Sequence, residues 1–285
     1  MKLDDTLHSI STLLLVTFQG IQIQGTGFFY QELAPRDPQK NFQWRKVEAL
    51  WIVSNRHMFV PKKDGKDILL DSFTFHLRKI ANNNIIWEAI TLDITELKKR
   101  VRLHSNPEVD VAMIRVDDLF TSRIKDDKNY MPWSAVDEEN LPGNNNISAE
   151  VADDVVIIGY PKGFYDEKNV FPIVKSGIIA TRWGMNFNGL PVFLIDAKLF
   201  PGSSGSIVIT KPIDFVIVDG KPMSAKDKQF AFLGVYSGEP FRQHTPIDLD
   251  DITIIRKDTF NVGIVWYGQL VVDIAKNGIP LPDHF

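Results

Sequence analysis

"FPGSSGSIVI", residues 200–209, sets two glycines and three serines between apolar runs. A Gly/Ser segment between strands is often only a flexible turn. The stretch carries chemistry only if the rest of the chain supplies partners for one of its serines. An activated serine needs a base within hydrogen-bond reach and a third group that orients the base. It also needs backbone N–H groups aimed at the oxygen on which negative charge develops. Gly202 lets the chain turn so as to present such donors, and Gly205 permits close approach of a substrate backbone. Ser204, flanked in this way, is the nucleophile candidate in preference to Ser203 or Ser206.

Six histidines are available as a base: His8, His57, His76, His104, His244 and His284. His57 ends the apolar run "ALWIVSNRH" (49–57), where a side chain emerges at the rim of a β unit; the alternative is a solvent-exposed loop histidine. His76 alternates with Phe73, Phe75 and Leu77, which suits packing or surface. For the orienting acid, "NPEVDVAMIRV" (106–116) offers Asp110 at the head of an apolar strand. A carboxylate persists there only if it is hydrogen-bonded; the alternative is a plain turn residue.

The apolar runs are short and rich in Val, Ile, Phe and Trp, at strand length. They are 12–18, 49–54, 68–77, 85–92 and 111–116, then 155–160, 171–180, 191–199, 206–210, 230–237 and 260–267. This pattern predicts an all-β protein of sandwich or barrel type. One helix is expected, "GQLVVDIAKNG" (268–278), with Leu270, Val271, Ile274 and Ala275 on one face and Asn277-Gly278 as its stop. A polar stretch, 119–150, reads as a linker running over the surface. The organisation expected is one first β unit over 1–118, the linker, a second unit over 151–267 and the closing helix. An Asp219-Gly220 turn marks a hairpin insertion in the second unit.

With 285 residues and 44% hydrophobic composition the chain can bury a sizeable core. The net charge of −4 and the absence of long basic runs speak against nucleic acid. There is no cysteine, which excludes disulfides and Cys-based metal or nucleophile chemistry. The N-terminus carries two acids where a secretory signal carries bases, and "LLLVTF" is too short to span a bilayer. A cytoplasmic protein with no membrane partner is expected. His244 with Asp248, Asp250 and Asp251 reads as a solvated acidic loop in preference to a cation site, so neither metal nor cofactor is expected.

Taken in order, these segments resemble a trypsin-like serine peptidase of the chymotrypsin fold. "VSNRH" resembles the segment with the general base, "DVAMI" the segment with the orienting aspartate, and "PGSSGS" the nucleophile loop. They are separated by 53 and 94 residues, which suits a site between two barrels. "GTGFF" (25–29), "IIGYPKG", "SGIIA", "LIDAKLFPGSSGS", "LGVYSG" and "NVGIVWYGQLVVDI" extend the resemblance over most of the chain, nearest to HtrA-type peptidase domains. No peptide-binding (PDZ) domain of the HtrA kind is expected after the helix. The resemblance implies two six-stranded antiparallel β-barrels and a C-terminal helix. It implies a catalytic triad of His57, Asp110 and Ser204, with Gly202 and Ser204 N–H groups as the oxyanion hole. Tyr236, Ser237 and Gly238 would pair with an extended substrate as an added strand.

Departures from the family pattern matter. Ser203 stands where digestive enzymes have the aspartate that captures a new N-terminus, so activation by N-terminal processing is not expected. Arg56 replaces a small residue and either points away from His57 or rims the cleft. Ile207 replaces a common proline. Lys198 stands six residues before Ser204, at the family's specificity pocket; it either selects acidic side chains or points outward while Leu199 or Phe200 lines an apolar pocket, the second being favoured. The expected activity is a serine endopeptidase acting on protein or peptide substrates through an acyl-enzyme. The alternatives are a site armed by an activating protein partner, and a trypsin-fold binding or scaffold protein with an inactive site.

Overall fold

Runs such as "ALWIVS" and "VVIIGY" are apolar without alternation because their strands are buried on both faces. In the first, Leu50 and Ile52 face one core while Ala49, Trp51 and Val53 face another. In the second, Val155 and Ile157 face a third core, and Val156 and Ile158 join the one shared with Trp51 and Val53. Two lobes therefore each enclose an interior, and a third core is trapped between them.

The computed structural model describes the chain except residues 1–2, 37–44, 64–65, 69, 83, 125–133, 163, 219–220, 244–246, 250–251, 255–256 and 283–285. The first lobe contains β1 (Ser11–Phe18), β2 (Ile21–Leu33), β3 (Val47–Ser54), β4 (Ser72–Ala81), β5 (Asn84–Asp93), β6 (Val101–Leu103) and β7 (Ala112–Arg115). They lie in the order β6-β7-β3-β2-β1-β4-β5. The second lobe contains β8 (Asp154–Gly159), β9 (Ile173–Ile179), β10 (Val192–Asp196), β11 (Ile207–Thr210), the hairpin β12 (Ile213–Val218) and β13 (Lys221–Gln229), β14 (Phe232–Gly238) and β15 (Val262–Tyr267). Six of these close as a barrel, β8-β9-β10-β15-β14-β11. A last short strand, β16 (Ile279–Pro280), returns to the first lobe and pairs Ile279 with Leu103 on β6.

The expected all-β chymotrypsin-type architecture with a C-terminal helix is the one observed. The first lobe's ladder holds eight strands where six were expected. The added members are of the size of β6 and β16, three and two residues, too short to carry a readable pattern. The predicted insertion is present as the β12–β13 hairpin, although its Asp219-Gly220 turn lies outside the described residues.

Four α-helices are described where one was expected: α1 (Leu3–Ser9), α2 (Ile94–Arg100), α3 (Asp117–Ile124) and α4 (Gln269–Asn277). The first three span two turns or so and lack a broad apolar face, so periodicity does not reveal them. Local chemistry supports α2, whose N-cap Asp93 accepts a 2.9 Å bond from Glu96 N–H. Helix α4 buries Leu270, Val271, Val272 and Ile274 in the core between the lobes, beside Val109, Val111 and Met113. Its stop differs from expectation, because Gly278 has φ −62° and not a left-handed conformation. Gly278 is needed for space instead: a Cβ there would lie 2.5 Å from the Ile274 carbonyl oxygen.

The stretch 119–150 is not a loose surface linker in its described parts. Its start belongs to α3, and Val136 is fully buried and bridged to Tyr30 of β2. Leu141, Ile147 and Ala149 are also buried. Scattered apolar residues among polar ones hid this packing from a reading by composition.

Candidate active site

Three chain segments meet in the crevice between the lobes. The first is the turn after β3, where Asn55 leads into a single 3₁₀ turn, Arg56–Met58. Met58 is buried and anchors the turn, which leaves His57 outermost with 45% of its side chain exposed. The Asn55 amide donates to the Asp110 carbonyl at 2.8 Å, tying this turn to the start of β7. Arg56 points to the Asp67 carboxylate at 3.2 Å and does not rim the cleft at His57.

Asp110 faces His57 squarely. Its Oδ1 accepts from the His57 backbone N–H at 3.0 Å, and its Oδ2 lies 2.9 Å from His57 Nδ1. Oδ2 also accepts from the Ser237 hydroxyl at 2.6 Å. With Nδ1–H directed at the carboxylate, Nε2 is left as the lone-pair nitrogen of the imidazole. The expectation that Asp110 needs hydrogen-bond partners at the head of a buried strand is thus met by three donor groups, one of them contributed by the second lobe.

The third segment is residues 200–206. Most of its polar backbone groups are engaged. The Pro201 carbonyl accepts from Lys162 N–H at 2.7 Å, and the Ser203 carbonyl from Ser206 N–H at 2.9 Å. Ser203 N–H bonds the Phe200 carbonyl, and Gly205 N–H bonds the Tyr236 carbonyl. Among the described residues, between Pro201 and Ser206 the Gly202 and Ser204 N–H groups alone have no hydrogen-bond partner. A trans peptide directs its N–H opposite its C=O. The anchored Pro201 and Ser203 carbonyls therefore hold those two N–H groups away from the protein side of the loop.

The glycines are required by both conformation and space. Gly202 has φ +88°, and a Cβ there would sit 2.5 Å from Lys162 N. Gly205 has φ +83°, and its Cβ would meet the Thr26 carbonyl oxygen at 2.0 Å and Ser54 Oγ at 2.2 Å. The close approach at Gly205 is therefore by the chain's own first lobe and not by a substrate.

Ser204 is brought to this crevice, but its hydroxyl donates to the Ser237 carbonyl at 2.9 Å. No hydrogen bond joins Ser204 to His57 among the described residues. Ser203 is buried and its hydroxyl has no partner there.

Of the residues expected to pair with substrate, Tyr236 is misplaced by the sequence reading. It is 3% exposed, its N–H bonds the Ser206 carbonyl and its C=O takes Gly205 N–H, so it has no backbone group to offer. Burial pushes its phenol well above the usual tyrosine range, with Glu239 adding to the effect. Ser237 and Gly238 lie beyond it, partly exposed, where the ladder to β15 is interrupted by a bulge. Leu199 does not line an open pocket either. It is buried in the barrel interior with Val208, Tyr236 and Val265. Lys198 is exposed, and Phe200 is 50% exposed.

Sequence reasoning missed the residues that furnish this wall from elsewhere. Lys175 of β9 donates to the Lys198 carbonyl and sets its ammonium 4.9 Å from the Phe200 ring centroid. Glu239 accepts from Leu199 N–H at 3.4 Å. Thr26 of β2 touches the 200–206 loop at several points. None of these has a local signature; only the motif "GTGFF" pointed near Thr26. His244, Asp250 and Asp251 lie outside the described residues, and no group of metal-ligating side chains is found among the described ones.

No curated protein matches the chain. Similar solved structures include a catalytically active tobacco etch virus protease complexed with product, at 9% identity, TM-score 0.48, covering 97% of this chain and 82% of that one. Protease Anisep from Arthrobacter nicotinovorans is similar at 12% identity, TM-score 0.47, covering 94% of each chain. A serine endoprotease from Yersinia pestis is similar at 12% identity, TM-score 0.45, covering 94% of this chain and 62% of that one. The profile of the trypsin-like peptidase domain matches residues 25–217, a span that holds His57, Asp110 and Ser204, and the chain accordingly belongs to the trypsin-like peptidase domain family.

Proposed function

We propose that this protein is a serine endopeptidase acting on protein or peptide substrates through His57, Asp110 and Ser204. The observation that carries the reading is the 201–206 loop, whose N–H groups are all bonded except those of Gly202 and Ser204, set beside a His57–Asp110 pair with three hydrogen-bond contacts.

In this reading, Ser204 Oγ attacks the scissile carbonyl and His57 Nε2 takes its proton. The carbonyl oxygen, now an anion, accepts from the Gly202 and Ser204 N–H groups, each such donor being worth about 3–4 kcal/mol in the transition state. Asp110 holds the imidazole by its Nδ1–H and stabilises the imidazolium. His57 then protonates the departing amine, leaving an acyl group on Ser204 that water removes with the same base. The Ser237 carbonyl and Gly238 are the backbone groups left for an extended peptide. No step calls on a metal or cofactor.

A second reading rests on the Ser204–Ser237 hydrogen bond. Attack requires the hydroxyl to leave that carbonyl for His57, so a protein partner that remodels this wall would arm the site. Labelling with a fluorophosphonate probe tests both, comparing the parent with Ser204→Ala. Labelling of the free parent that vanishes in the variant supports the first reading. Labelling only in the presence of cell extract supports the second, and absence of Ser204-dependent labelling in every condition sinks both.

A further inference from the structure

Thr26 is wholly buried at the lobe boundary, yet four hydrogen bonds converge on it. Its N–H donates to the Ser204 carbonyl at 2.9 Å. Its hydroxyl donates to the Gly202 carbonyl at 3.1 Å and accepts from Tyr160 N–H at 2.8 Å. Its own carbonyl accepts from the Ser54 hydroxyl at 2.7 Å. Residues of β2 alternate in their duties: Phe29 faces the first lobe's interior, whereas Phe28 and Tyr30 face the core between lobes. Thr26 has the same parity as the second pair, so its side chain crosses to the other lobe.

The side chain is matched to its surroundings. A Cβ on Gly159 would lie 2.9 Å from Thr26 Oγ1 and 1.9 Å from Ser206 Oγ, so that glycine keeps open the space the hydroxyl fills. The hydroxyl spends its proton on Gly202 and a lone pair on Tyr160, the full use of a group with one donor. Gly202 and Ser204 are the two residues between Pro201 and Ser206 whose N–H groups stay free among the described residues. Thr26 holds both by their carbonyls, one with its side chain and one with its backbone.

We infer that Thr26 is a positioning residue: from the first lobe, it fixes the orientation of the donor loop in the second. This rests on the reading of Ser204 as nucleophile and of the two free N–H groups as the oxyanion site. Thr26 touches neither substrate nor reacting atoms. Its hydroxyl acts through the Gly202–Ser203 peptide, so loss of the hydroxyl loosens the loop while leaving His57 and Asp110 in place.

The test compares Thr26→Val, which keeps the shape and removes the hydroxyl, with Thr26→Ser, which keeps the hydroxyl. Three quantities are measured: fluorophosphonate labelling rate, thermal midpoint, and amide hydrogen exchange over residues 199–207. The expected result is labelling at least tenfold slower in Thr26→Val, with Thr26→Ser within about threefold of the parent, and exchange at Ser203 and Gly205 faster in Thr26→Val alone. A Thr26→Val protein that labels and exchanges like the parent overturns the inference. So does a Thr26→Ser protein as impaired as Thr26→Val, since the methyl would then be the active part. If the parent labels in no condition, cell extract included, the endopeptidase reading fails, and exchange alone decides: faster exchange in Thr26→Val only supports the positioning role, and unchanged exchange overturns it.

Discussion

The hydroxyl of Ser204 is held by the carbonyl of Ser237, 2.9 Å away, while the hydroxyl of that same Ser237 is held by Asp110 at 2.6 Å. One residue thus touches the nucleophile candidate with its backbone and the orienting acid with its side chain. On the proposed reading the Ser237 carbonyl is also the acceptor for an extended peptide, so a bound peptide's N–H and the Ser204 hydroxyl compete for one oxygen, and the peptide's success frees the hydroxyl.

From this competition we expect peptide-based inhibitors with an N–H aimed at Ser237 to react faster than small probes of equal intrinsic reactivity. Methylating that single nitrogen should slow labelling about tenfold, the equivalent of roughly 1.4 kcal/mol. Equal rates for the methylated and unmethylated inhibitors would refute the idea.

The Asp110 carboxylate gathers the His57 N–H, the His57 ring and the Ser237 hydroxyl. Asp110→Asn keeps the shape but offers the ring an amide donor, favouring the wrong tautomer. Peptide hydrolysis should fall about 10⁴-fold, by analogy with the same change in a chymotrypsin-type triad. Ser237→Ala removes one donor only and should cost about tenfold, with the thermal midpoint little changed. Retention of hydrolysis within tenfold by Asp110→Asn would remove Asp110 from the mechanism.

Two glycines separate conformation from crowding. Gly143 has φ +86° with open space around its Cβ position, and Gly205 has φ +83° with the Thr26 oxygen 2.0 Å from it. Gly143→Ala should lose only the left-handed penalty, about 1–2 kcal/mol. Gly205→Ala should lose roughly 3 kcal/mol or more, since backbone must move as well. Urea unfolding reads the two directly, and equal losses would show that the crowding at Gly205 is relieved cheaply.

How much could be read from the sequence depended on range. Strands such as β8 announce themselves because four consecutive apolar residues cannot all face one side. The order His57, Asp110, Ser204 was legible because each ends or begins an apolar run. Thr26, Lys162 and Lys175 were not legible as parts of the site. Each reaches it through a contact between distant segments, and a threonine or lysine has no local mark of what lies across the crevice. Tyr236 was misjudged for a related reason: whether a backbone group is free depends on the neighbouring segment, and Gly205 and Ser206, just ahead of β11, had already taken both of its groups.

Burial holds the His76 imidazole below its ordinary value, against the opposing pull of the Leu13 carbonyl 3.0 Å from Nδ1. The unfolded chain takes up a proton at this residue near pH 6.5. Below that pH the unfolded state binds a proton that the folded state refuses, so stability is fully present above about 6.5 and declines on acidification until the folded value is passed. Urea midpoints measured between pH 8 and pH 5 should fall more steeply for the parent than for His76→Phe. Parallel curves would show that His76 takes its proton as readily folded as unfolded.

Strand β16 follows the whole second lobe in sequence, yet it hydrogen-bonds to β6 of the first lobe, and α4 fills the core between the two. During synthesis, domains tend to fold from the N-terminus as they emerge, at about 5–20 residues per second. The first lobe leaves the ribosome early but must wait for β16 to complete its edge and for α4 to cover Val111 and Met113. Its final strand arrives only after residues 200–206 have been made, so the growing chain completes its two halves together, and a truncated product leaves an apolar seam for the cell's quality control to find.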